Sequence, residues 1–168
     1  MKLEFIQAGR VVNAHGIHGE LRVQPIEVDA LCLTHLKTLY LDGKPVHPTS
    51  NRVHKNLVLL KLPGIDDMNA ALDIKGKLLF IRREDAALGP DEFFDGELLG
   101  MEAYDAETGA LLGTVKSVDP YPAHKVYTIC GAHKYLIPAI PGVFIQSVNL
   151  EENRMDIHMM EGLATDEN

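Results

Sequence analysis

The sequence predicts an all-β protein made of two small β-barrels joined by a short linker, and three observations predict it. Short runs rich in β-branched residues alternate polar and apolar side chains, and glycine-rich turns separate them at close intervals. A single short stretch shows helical spacing. The charge changes sign along the chain: residues 1–86 carry 12 Lys and Arg against 10 Asp and Glu, whereas residues 87–168 carry 4 against 14. The halves therefore have net charges of +2 and −10, a difference that suggests different partners for two different bodies.

The first two predicted strands, residues 3–12 and 20–28, are separated by His15-Gly16-Ile17-His18-Gly19 and read as a hairpin with a glycine-rich turn. Further strands are expected at residues 36–41, 46–54 and 56–62, with Asp42-Gly43 and Lys55-Asn56 supplying turn chemistry. After Pro63-Gly64, Asp66 is placed to cap a helix carrying Met68, Ala71 and Leu72; Gly76 ends it, and residues 77–81 return to strand. One helix closing a small barrel fits that order, so residues 1–82 form the first expected domain.

Residues 83–91 hold Glu84, Asp85, Gly89 and Pro90 without sustained periodicity and read as a linker. Residues 92–168 form the second expected domain, with strand pairs at 98–104 and 111–118, at 126–130 and 134–138, and at 143–150 and 154–159. Strands this short, with turns this frequent, suit two barrels better than one sandwich, because each barrel removes its own exposed edges. The polar tail from Glu161 is expected to fray.

The opening Met1-Lys2-Leu3-Glu4-Phe5 contains no apolar run of signal-peptide or membrane-span length, so a cytoplasmic location without membrane contact is expected. A monomer is the expected state. Cys32 and Cys130 lie far apart in apolar segments and read as small buried side chains of a reducing compartment.

Catalytic chemistry has little support. Ser50, Ser117 and Ser147 lie in no nucleophile-elbow context, and the glycine pattern contains no phosphate-binding loop. Asp66-Asp67, Asp91-Glu92 and Glu151-Glu152 are adjacent pairs, which a strand sends to opposite faces and a turn leaves solvated. His15-x-x-His18 and Cys32-x-x-His35 have spacings found in zinc sites, which leaves a metal-assisted RNA hydrolase as the rival reading. The primary expectation has no catalytic residue, no metal and no cofactor.

What remains is recognition. The first half offers Arg10, His15, His18, Arg22, Arg52, Lys55, Arg82 and Arg83, with Gly16 and Gly19 at the hairpin turn. Such a turn suits RNA phosphate; equally, its glycines can merely supply positive φ beneath ordinary solvated cations. Phe93-Phe94 opens the second half among Asp91, Glu92, Asp95 and Glu97. One exposed ring in that acidic surround can anchor a basic protein; alternatively both rings are buried at the junction.

The run from Gly9 through Val23 resembles the opening of the RimM ribosome maturation factors. Leu62-Pro63-Gly64-Ile65-Asp66, Gly76-Lys77, Glu97-Leu98-Leu99-Gly100, Thr108-Gly109, Leu112-Gly113, Ala123 to Val126 and Leu136-Ile137-Pro138 follow in family order. The resemblance covers nearly the whole chain. It implies an N-terminal translation-factor-like barrel and a C-terminal PRC barrel. The implied role is maturation of the head of the small ribosomal subunit, through binding of ribosomal protein S-nineteen and effects on processing of small-subunit rRNA. The resemblance implies that the pair Phe93-Phe94 binds the ribosomal protein, and the neighbouring Asp95 and Glu97 are expected to join it; Arg10, His15, Gly16, His18, Gly19 and Arg22, clustered at the glycine-rich turn, are expected to face rRNA. Phe93-Phe94 stands where the family usually carries a Tyr-rich pair, His18 where Arg is common, and Lys125 where Asp is common.

Overall fold

The computed structural model describes residues 1–86, 88–89 and 92–165. Of the expected linker and the acidic surround of Phe93, Ala87, Pro90 and Asp91 lie outside the described residues. The chain divides into two compact units, Glu4–Leu88 and Gly89–Asn168 with Met1–Leu3. Met1–Leu3, expected in the first barrel, thus belong with the second unit.

The first unit contains β1 (Phe5–His15), β2 (Glu20–Pro25), α1 (Ala30–His35), β3 (Leu39–Leu41), β4 (Lys44–Val46), β5 (Ser50–His54), β6 (Leu57–Lys61), α2 (Met68–Asp73) and β7 (Leu78–Arg82). Among the described residues its seven strands form one sheet in the order β4-β3-β7-β1-β2-β6-β5, antiparallel throughout. Alternation sends Ile6, Ala8, Leu21, Val23, Val58, Leu60, Leu79 and Ile81 into the core. The expected hairpin forms, with His15 paired to Glu20 across the turn.

Two helices fill the core, where one was expected. The apolar run around Cys32 is α1, with Asp29 Oδ1 accepting the Cys32 N–H at 2.7 Å. Leu33 is buried and Cys32 half-exposed, so the cysteine is not a core thiol. The cap of α2 is Asp67, whose carboxylate accepts the Ala70 N–H at 2.7 Å, rather than Asp66, whose carboxylate accepts from Lys61. Arg83–Asp85 form a 3-10 turn held by the Arg83 N–H on the Glu4 carbonyl at 2.9 Å, and Ala86 is buried behind it.

The second unit contains α3 (Asp95–Leu98), β8 (Glu102–Asp105), β9 (Leu111–Pro120), β10 (Lys125–Cys130), β11 (Lys134–Pro138), β12 (Ile145–Asn149), β13 (Arg154–Ile157) and β14 (Ala164–Thr165). Its described strands form one sheet in the order β12-β13-β8-β9-β10-β11-β14. Met101, Ala103, Val115, Ile129, Ile137, Ile145, Met155 and Ile157 make its core. Two features depart from expectation. Residues 95–98 are a helical turn and β8 starts only at Glu102, and the tail does not fray from Glu161, because Ala164 and Thr165 pair with Tyr135 and Lys134 of β11. β13 pairs with β12 as expected, and with β8 in parallel on its other side. Cys130 is half-buried at the end of β10.

Candidate functional site

In the second unit, Phe93 and Phe94 precede α3 and have different fates. Phe94 is buried in the interior, so it cannot be a docking anchor. Phe93 packs one side against the core and presents the rest to a cavity of roughly 530 Å³. Asp95, Lys125, Tyr127, Ile145 and Val148 line the same cavity. It lies beside β12, an edge strand whose sheet partner is β13.

Glu97, expected among the docking carboxylates, is fully buried and faces inward. Its Oε1 accepts the Phe94 N–H at 3.1 Å and its Oε2 accepts the Leu3 N–H at 3.1 Å, while the Met1 ammonium donates to its backbone carbonyl. A carboxylate leaves water when backbone donors replace its hydration, and that is what holds Glu97. Asp95 does reach the groove, where its Oδ1 accepts from Lys125 Nζ at 2.6 Å. The Lys that departs from the family pattern therefore neutralises a carboxylate at the groove. Burial, assisted by the Asp95 carboxylate, pushes the Tyr127 phenol above its ordinary range, so the groove presents a neutral hydroxyl. A partly apolar groove with one ion pair, in a half that carries net −10, suits a segment of a basic protein.

In the first unit the expected cationic set separates. Arg22 Nε donates to His15 Nδ1 at 3.3 Å, which joins those two. Arg10 pairs with Gln24 and lies five residues up β1 from His15, about 16 Å along the strand. His18 and Gly16 are exposed in the turn. Gly19 is buried: a Cβ built on it would stand 2.1 Å from the Ile65 carbonyl oxygen, so its bare backbone receives the chain's own loop rather than a ligand. Arg82 is taken up internally, with Nε on the Tyr40 hydroxyl at 2.9 Å and its guanidinium over the Phe5 ring.

Sequence reasoning passed over Tyr127 of the groove and His54, named Lys125 only as a departure from the family pattern, and counted Arg52 among the cations of the first half without joining it to His15 and Arg22. Their signal was period-two spacing on β10 and β5, which puts each pair on one face. Among the described residues no three His, Cys, Asp or Glu side chains are grouped to hold a metal; His35 Nδ1 is instead on the Leu31 carbonyl at 2.8 Å. No helix among them is long and apolar enough to cross a membrane.

The RimM N-terminal domain model matches residues 6–86, and the RimM PRC barrel domain model matches residues 95–163. The chain belongs to the RimM family. The ribosome maturation factor RimM of Acetivibrio thermocellus is 34% identical over 98% of this chain and 99% of that protein. Its namesake from Clostridioides difficile is 32% identical over 96% and 97%. Among solved structures, a 16S ribosomal RNA processing protein RimM from Pseudomonas aeruginosa is 24% identical, covers 93% of this chain and 98% of its own, and gives a TM-score of 0.45. The His15–Arg22 contact lies within the match to the RimM N-terminal domain, and Asp95, Lys125, Tyr127, Ile145 and Val148 of the groove lie within the match to the PRC barrel, which begins two residues after Phe93.

Proposed function

We propose that this protein is a non-catalytic maturation factor that acts in the cytoplasm, as a monomer, on the immature small ribosomal subunit. Its PRC barrel holds a basic ribosomal protein of the subunit head, S-nineteen, against the Phe93 groove. Its N-terminal domain turns the His15–Arg22 face toward rRNA, and the bound factor thereby promotes subunit maturation and rRNA processing.

The observation that carries this reading is the half-buried Phe93 in a groove of the strongly acidic half. An aromatic side chain seated in a partly apolar groove is the usual form of an interface anchor, and complementary charge brings a basic partner to it. Family membership, with relatives named as ribosome maturation factors, supports a role in ribosome maturation.

Tagged full-length protein, passed over small-subunit precursor particles, is expected to retain S-nineteen together with precursor rRNA. Recovery of only metabolic or membrane proteins would overturn the reading.

A further inference from the structure

We infer that His15, Arg22, Arg52 and His54 form one binding site for the phosphodiester backbone of RNA, and that filling it takes up protons. The inference rests on the reading that the N-terminal domain faces RNA, and it specifies which side chains do so and how.

The strand register builds the site from chain-distant pieces. Arg22 of β2 and Arg52 of β5 both pair with Leu59 of β6, so the two guanidinium arms rise on one face on either side of a buried Leu59. His54 follows Arg52 at period two on β5, and its ring lies 5.8 Å from that of His15, tilted by 53°. Glu20 meets Arg52 at 3.6 Å. Lys61, on the same face of β6, is turned to the Ile65 carbonyl and to the Asp66 carboxylate at 3.0 Å. His18 in the β1–β2 turn and Lys55 in the β5–β6 turn lie at its rim. Two guanidiniums against one acidic neighbour, Glu20, leave the cluster positive, and guanidinium is the side chain suited to phosphate oxygens.

The proton coupling follows from one hydrogen bond. Arg22 donates to His15 Nδ1, so that nitrogen offers a lone pair and holds no proton. Protonating His15 sets a second donor against the Arg22 N–H, and the two must part. A phosphate oxygen placed between them accepts from both. Anion binding and His15 protonation therefore favour each other, and the neighbouring His54 ring gains by the same anion.

The test measures binding of a fluorescent single-stranded RNA to the full chain at about pH 6 and about pH 8 at constant ionic strength. Affinity should be about tenfold higher at the lower pH, the worth of one added charge-assisted contact. The double substitution His15→Gln with His54→Gln should bring that ratio close to one. Replacing Arg22 and Arg52 with Gln should weaken binding at both pH values and lower the salt slope by about two. Calorimetry of the unaltered protein in buffers of different ionisation enthalpy should register net proton uptake, which keeps the test independent of variant folding. RNA binding with equal affinity at both pH values and no proton uptake, or a pH gain that survives the double His substitution, would overturn the site while leaving an RNA-facing domain. Absence of RNA binding at either pH would sink both.

Discussion

The carboxylate of Glu97 holds the backbone N–H of Leu3 at 3.1 Å across 94 residues of chain, and its other oxygen holds the N–H of Phe94 at 3.1 Å. The start of the chain is thereby part of the second unit, and the turn that presents Phe93 is fixed from within. Replacing Glu97 with Ala strands the buried Phe94 donor and the partly buried Leu3 donor and should cost the second unit about 3 kcal/mol. Removing residues 1–3 should also destabilise it, because the Leu3 N–H bond to that carboxylate is lost. Denaturant unfolding followed through amide signals of residues 92–165 checks both.

Phe94 and Phe93 should separate in the same assay. Phe94→Ala opens a cavity in the core and should cost about 3–5 kcal/mol. Phe93→Ala removes a side chain that is only half-buried at the groove and should leave that unit folded, with a smaller loss. Equal losses would show that both rings serve the core.

Gly19 and Gly16 have positive φ, +88° and +69°, but unlike surroundings. A Cβ on Gly19 meets the Ile65 carbonyl, whereas one on Gly16 meets nothing within 4 Å. Gly19→Ala should therefore cost well over about 2 kcal/mol through clash and strain, and Gly16→Ala about 1 kcal/mol through strain alone. Thermal melts of the two variants give the comparison.

The hairpin was legible in the sequence because alternation and turn chemistry are local signals, and its register follows from them. α1 was not: a short segment with four apolar residues in a row reads equally as strand or helix, and its Asp29 cap was the overlooked sign. Glu97 was misread because glutamate is rarely buried, and its partner Leu3 is brought to it by the fold and not by sequence proximity. The meeting of His15 with His54, like the parallel pairing of β8 with β13, depends on which distant strands come together, and no local pattern encodes that.

Arg154 donates twice to Asp156, at 3.0 and 2.9 Å, and stacks over the Tyr104 ring at 4.1 Å. The Arg154 bonds, with a further one from Ser147, hold the Asp156 carboxyl below the ordinary carboxylate range. An unfolded chain then binds the proton more readily than the folded one, so this stability is present above the unfolded value and drains away as pH falls through the folded value. Asp156→Asn should melt lower near neutrality and lose less on acidification below about pH 4 than the unaltered protein. Melting curves across that range read the difference; parallel curves would leave the pair energetically silent, as exposed pairs often are.

In the proposed function the acidic half grips a basic ribosomal protein through the Phe93 groove. Titration calorimetry of S-nineteen into the full-length protein tests it directly, comparing the unaltered chain with Phe93→Ala after equal melting has been verified. The expected loss is about 2 kcal/mol, roughly a thirtyfold weaker complex, with little change on substituting Arg22 and Arg52. Unaltered affinity in the Phe93 variant would contradict it and place the interface elsewhere.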